Sequence, residues 1–278
     1  MAEPARVRRL PPGDPIFRKR ILSALVMAPA ALGIVVLGGQ AFAIFIAAFA
    51  AAMAWEWVRM TDADAPPRAF AAATGTAVGA ALLAAQDAQG WTVLWVLAGA
   101  AGCALDRRPR GDAQYAFAGI LYVSVSAALL VTLRNGDPGG LGAALFLLAV
   151  VWSADTFAYL GGSWIGGPKL IPAASPNKTW AGLVAGLCLG VAAGVAVAYA
   201  YDMAPLYAGL IAAPTALAAV LGDLLMSLVK RRFGVKDAGT LIPGHGGVLD
   251  RVDALMLASV FAGVIVVVAP DLWPGASR

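Results

Sequence analysis

The chain has 278 residues, 60% of them hydrophobic and 13% charged, with a mean hydropathy of +0.78 and a formal net charge of +4. Soluble domains carry about 25% charged residues, so this composition excludes a soluble globular protein and indicates a polytopic membrane protein. The two cysteines, Cys103 and Cys188, lie in apolar runs without CxxC spacing, and the chain has 1 histidine. A disulfide framework and a zinc site are therefore disfavoured, and any metal falls to carboxylates, the ligands of hard cations.

In chain order, residues 1–20 form a polar tail with Arg6, Arg8, Arg9, Arg18, Lys19 and Arg20. It suits an anionic headgroup surface, or serves only to fix topology. The apolar run after it is as long as a span and lacks a cleavage site, so it reads as a retained helix. Apolar runs near 21–39, 40–60, 69–85, 90–105, 114–133, 140–160, 179–201, 205–229 and 251–269 predict nine helices, since a span needs about 20 residues. The third and fourth are short. The eighth contains Pro214 and is expected to kink or break there.

With the N-terminus in the cytoplasm, the inside segments are 1–20, 61–68, 106–113, 161–178 and 230–250. Together with the adjoining helix ends they hold every Lys and Arg except Arg134 and Arg278. This bias follows the positive-inside rule and needs no nucleic-acid partner to explain the basic pI. The expectation is an all-α polytopic membrane protein with about nine transmembrane helices, the N-terminus and the polar loops in the cytoplasm. No internal repeat divides the chain. Residues 21–278 read as one transmembrane domain after the 1–20 tail.

The eighth predicted helix ends "GDLLMSLVKRR", which puts Asp223, Ser227, Lys230 and Arg231 on one face. A carboxylate as deep as Asp223 is costly unless paired, metal-bound or wetted; a structural ion pair and a functional site weigh equally. The ninth begins "HGGVLDRVD", with Asp250 and Asp253 three residues apart. Either alone could be a helix-terminal carboxylate, yet both emerge on the same side as Asp223. Three such carboxylates can hold one or two Mg2+-like ions. Around them stand Lys230, Arg231, Arg232, Lys236 and Arg251, and Gly239, Gly244, Gly246 and Gly247 let backbone approach an anion. His245 suits a hydrogen bond to phosphate better than nucleophilic catalysis. The second polar loop carries Asp155, a glycine-rich break and "SPNKT", where Ser175, Asn177, Lys178 and Thr179 precede a helix. An anion site and an ordinary N-cap both fit, the cap being the simpler.

The stretch "SLVKRRFGVKDAGTLIPGHGGVLDRVD", Ser227 to Asp253, resembles the signature of the phosphatidate cytidylyltransferase (CDP-diacylglycerol synthase) family. Its pattern is Ser-x-apolar-Lys-Arg, four residues, Lys-Asp, then Pro-x-His-Gly-Gly, two residues, Asp-Arg-apolar-Asp, and every fixed position matches. "DTFAY…SPNKTWAG" resembles the family's second region, so the likeness is sharpest over 153–253. The sequence departs from the family at Ala181, where Glu is usual, and at Gly167, where a basic residue is frequent.

The resemblance implies a reaction: CTP and phosphatidic acid give CDP-diacylglycerol and pyrophosphate at the bilayer surface. It implies Asp223 and Asp250 as Mg2+ ligands, with Asp253 in support. Lys230, Arg231, Lys236 and Arg251 would hold phosphates, with Lys230 and Arg251 catalytic beside the three carboxylates. Ser227 and His245 would orient substrates or pyrophosphate, and Ser175 and Lys178 would bind CTP or the lipid headgroup. Asp237, Gly246 and Gly247 complete the substrate-binding set. A homodimer is a further implication, and the Ala- and Arg-rich composition points to a bacterial inner membrane. The rivals are a CTP-dependent polyprenol or phytol kinase and, from another class, an ion-coupled transporter. The transporter is disfavoured because the charge is confined to one side.

Overall fold

Among the described residues, the apolar runs of the sequence become helices with little change of boundary; residues 21–28 of the first run lie outside them. A computed structural model describes residues 29–136, 139–172, 175–242 and 246–275; the basic tail and His245 lie outside them. Residues 29–37 (α1) are helical. They are followed by α2 (Gly39–Thr61), α3 (Pro67–Ala84), α4 (Gln89–Arg107), α5 (Ala113–Asn135), α6 (Gly140–Trp164), α7 (Trp180–Ala200), α8 (Pro205–Arg232) and α9 (Leu249–Val268). Pro67 and Pro205 each open a helix, where the absent N–H costs nothing. Gly234, at φ +70, closes α8: the Gly234 N–H donates to the Arg231 carbonyl and the Val235 N–H to the Lys230 carbonyl. This left-handed terminator turns the chain out of the helix.

Six helices, α2 and α5 to α9, are long and apolar enough to cross a membrane. At 18 and 19 residues, α3 and α4 are not among them: glycine, threonine and terminal charge dilute their apolar runs. Pro214 does not break α8, which continues through it for 28 residues. The all-α expectation needs one correction. β1 (Lys169–Ile171) and β2 (Ser175–Thr179) form an antiparallel pair between α6 and α7, with Lys169 opposite Thr179 and Ile171 opposite Ser175. These strands are too short to show alternation in the sequence.

Two large apolar cores result, beside a small third cluster at Val220 and Leu224. One is built mainly by α2 to α5 with the end of α8 and the start of α9, the other by α6, α8 and α9 with the end of α5. The α6–α7 pairing is the closest. Gly182, Gly186, Gly190 and Gly194, four residues apart, bury one face of α7. A Cβ on Gly186 would stand 2.6 Å from the Ala154 carbonyl oxygen, and one on Gly190 3.2 Å from that of Val150. Small residues here let backbone meet backbone, the usual route to close helix contact in lipid.

The two ends of the bundle differ in chemistry. At one, Arg134 donates to the Val35 carbonyl and, at 2.9 Å, to that of Val36, closing the last carbonyls of α1. This gives Arg134 a structural use at that end. At the other end, the C-terminal turns of α2, α4, α6 and α8 meet the first turns of α5, α7 and α9. Trp57 Nε1 donates to the Tyr115 carbonyl at 2.9 Å, and the Tyr115 and Phe233 rings meet edge to face at 4.9 Å.

Candidate active site

The site is built from the last turns of α8 and the first turn of α9. Asp223, Ser227 and Lys230 lie at i, i+4 and i+7, and Ser227 Oγ donates to Asp223 Oδ1 at 3.4 Å. Lys230 Nζ reaches across to α9, 2.8 Å from Asp250 Oδ1 and 3.6 Å from Asp253 Oδ2. These three side chains are only 11%, 5% and 14% exposed, so the ammonium and both carboxylates are largely withdrawn from water. The remaining oxygen of Asp250 accepts from the Ala238 N–H at 2.8 Å and the Gly247 N–H at 3.0 Å. One carboxylate thus ties the loop to both of its flanking helices.

The β hairpin delivers a second cation. Lys178 Nζ, on β2, lies 2.6 Å from Asp223 Oδ2. Thr179 caps α7 by accepting from the Gly182 N–H at 3.1 Å, so the cap sits beside the lysine rather than replacing it. Asp155 of α6 lies within electrostatic reach of both Asp223 and Lys178, and Asp253 within reach of Asp223 and Asp155. Carboxylates from α6, α8 and α9 therefore surround two ammonium groups. Oxygen donors of this kind suit a hard cation such as Mg2+. Among the described residues no three acidic, histidine or cysteine side chains already converge to hold one; Lys178 and Lys230 stand between the carboxylates.

The other predicted residues are spread around this centre. Ser175 opens β2, opposite Ile171. Arg231 is exposed and its guanidinium is 3.4 Å from the Val235 carbonyl. Lys236 and Asp237 are exposed on the loop, and Arg251 is exposed in the first turn of α9. Gly246, at φ +83, pairs with Ile242, and a Cβ there would stand 3.2 Å from Asp250 Oδ2. The Gly247 amide, offered by the sequence as an anion contact, is given to Asp250. His245 lies outside the described residues.

Sequence reasoning passed over two groups at this end. Glu56, 1% exposed on α2, accepts from the Val248 N–H at 3.0 Å and the Leu249 N–H at 2.8 Å. Its only signal is a lone carboxylate in "AMAWEWV". Arg107, 7% exposed, donates to the Thr61 carbonyl, to Thr61 Oγ1 at 2.8 Å and to the Gly111 carbonyl at 3.1 Å. Beside it Arg110 bridges Asp106 at 2.8 Å and Asp62 at 3.0 Å. Those hydrogen bonds, with Asp106 first, hold the Arg110 guanidinium above its ordinary pKa. This network locks α2 to α4.

Fold and cluster together define an integral membrane protein of apolar helices whose acidic and basic groups meet at one end of the bundle. Within that class the chain belongs to the cytidylyltransferase family, whose family model matches residues 18–269. It is 40% identical over 256 residues to the phosphatidate cytidylyltransferase of Brucella abortus (strain 2308), covering 87% of this chain and 90% of that one. It is 39% identical over 264 residues to the phosphatidate cytidylyltransferase of Pseudomonas aeruginosa, covering 90% and 97%. A shorter match, 36% over 154 residues, is to that of Rickettsia bellii, covering 52% of this chain and 66% of the relative.

Proposed function

We infer that this chain is a phosphatidate cytidylyltransferase, which transfers CMP from CTP to phosphatidic acid and gives CDP-diacylglycerol and pyrophosphate. The observation that carries the reading is its identity of about 40% with enzymes of that name over most of both chains. The lysine–carboxylate cluster gives the reading its chemistry.

An oxygen of the phosphatidate phosphate attacks the α-phosphorus of CTP, and the bond to the pyrophosphate oxygen breaks in line. The nucleophile is already anionic near neutral pH, so no dedicated base is required. What the protein must supply is position and charge neutralisation. Lys230, Arg231, Lys236 and Arg251 hold phosphates. Lys178 and Ser175 meet CTP or the lipid headgroup, and Ser227 and His245 orient the substrates. Asp223, Asp250 and Asp253 would hold Mg2+, which when bound neutralises phosphate charge and orients the leaving pyrophosphate. The Asp223–Lys178 and Asp250–Lys230 pairs keep both lysines beside the carboxylates, ready to turn toward phosphate.

We further propose nine spans with the N-terminus and the site in the cytoplasm of a bacterial inner membrane. The placement of every Lys and Arg except Arg134 and Arg278 supports this. CTP is then met from water while the acyl chains remain in lipid.

The test is incorporation of labelled CTP into phosphatidate vesicles by the purified protein with Mg2+, with EDTA as the control. CDP-lipid and pyrophosphate are expected, lost with EDTA and restored by Mg2+. In a parallel reaction with polyprenol in the vesicles, a phosphorylated alcohol with CDP as co-product would instead identify a lipid kinase. Activity indifferent to EDTA would remove the metal role.

A further inference from the structure

Glu56 is a buried carboxylate that the reaction chemistry above does not use. Burying a carboxylate is costly unless its oxygens are satisfied. Here both are, by consecutive backbone amides at the start of α9: Val248 N–H to Oε1 and Leu249 N–H to Oε2. The next amide back, that of Gly247, donates to Asp250 Oδ2. Two carboxylates from opposite parts of the chain therefore hold three successive amides of one strand of backbone.

The glycines of the loop fit the same arrangement. A Cβ on Gly247 would stand 2.6 Å from Glu56 Oε2, and a Cβ on Gly239 would overlap the same carboxylate. Their lack of a side chain is explained by the space Glu56 occupies. Ala238, next to Gly239, supplies the other amide to Asp250. The Glu56 carboxylate thus lies against both backbone segments that aim Asp250 at Lys230.

Resting on the function inferred above, we propose that Glu56 is a positioning residue for CMP transfer: from α2 it fixes the start of α9 and the Ala238–Gly239 backbone, and through them the Asp250–Lys230 pair. It acts on the reacting groups at one remove. Displacing a reacting group by about an ångström costs on the order of 100-fold in rate, which sets the scale of the expected effect.

The experiment uses the full-length protein in detergent with phosphatidate, and measures kcat and KM for each substrate per folded molecule, with the folded fraction taken from size-exclusion chromatography. Glu56→Gln keeps the size but turns an NH2 donor toward one of the two amides. We expect its kcat to fall by about 10- to 100-fold, with both KM values within about threefold of wild type. Glu56→Asp keeps the charge but withdraws it by one methylene, and is expected to fall between. A Glu56→Gln protein with wild-type kcat, or a loss that tracks the folded fraction alone, overturns the positioning role. Should Glu56→Gln fail to fold, the same split in Glu56→Asp decides. A wild-type protein that forms no CDP-lipid overturns the function on which the proposal rests, whereas an active wild type with an indifferent Glu56→Gln overturns the Glu56 role alone.

Discussion

Asp250→Asn is the sharpest probe of the site, because the structure sets out what it must break. Oδ1 accepts from Lys230, and Oδ2 from the Ala238 and Gly247 amides. An asparagine has one acceptor oxygen, so either the lysine or the pair of amides meets an NH2 group. Removing one partner of a buried ion pair costs about 3–5 kcal/mol. Asp253 remains 3.6 Å from Lys230 and keeps part of the compensation, so we expect a loss of about 2–3 kcal/mol. Reversible unfolding in detergent, for Asp250→Asn, Lys230→Met and the double variant, would return the pair's coupling energy. We expect about 1–3 kcal/mol, with CMP transfer by Asp250→Asn reduced at least about 100-fold. Additivity within about 0.5 kcal/mol together with full turnover would refute the account of Asp250 as the carboxylate that locks the loop to Lys230.

Three further outcomes are expected. Gly186→Val drives a side chain into the Ala154 carbonyl and should cost about 3 kcal/mol, whereas Gly75→Ala, facing open space in α3, should gain up to about 1 kcal/mol; thermal unfolding in detergent compares them. Arg134→Ala leaves the Val35 and Val36 carbonyls without their donor and should lower stability by about 1–3 kcal/mol, while CMP transfer per folded molecule stays at the wild-type level. Lys178→Met strips Asp223 of its ion-pair partner and leaves the Ser227 hydroxyl; with side chains 25% and 30% exposed, the pair should contribute less than about 1 kcal/mol to stability, yet turnover should fall about 10- to 100-fold.

The helices were legible because their apolar runs end at charge, glycine or proline, and Gly39, Pro67, Pro205 and Arg232 stand at or beside the predicted limits. The Asp223–Ser227–Lys230 face was legible for the same reason: helical spacing converts directly into position. What local pattern could not give was the partner of each charge. Lys178 stood out at the head of α7, but its contact with Asp223 depends on a hairpin of 3 and 5 residues whose two prolines, and the glycines just before it, read as loop. Asp250 read as metal ligand or helix terminus, and its bond to Ala238 depends on the path of the loop. Glu56 is the extreme case, one carboxylate in an apolar helix whose partners are far along the chain. At Pro214 the break that was one expectation does not occur, for another reason. A missing N–H forfeits one hydrogen bond, and the packed neighbours of α8 keep the helix continuous.

The hydrogen bonds from Val248 and Leu249 to Glu56 join residues 192 and 193 positions apart. Synthesis therefore delivers α2 to the bilayer long before the amides that satisfy its carboxylate exist. Until α9 is made, the Glu56 carboxyl group lacks the Val248 and Leu249 amides, and Asp250 and Asp253 are absent altogether. A chain halted or cleaved before α9 differs from a finished one in both respects: it has no assembled cluster, and it carries a carboxyl group near the end of α2 without these amide partners. The same contact that orders the loop thus ties acquisition of the charged centre to the insertion of α9.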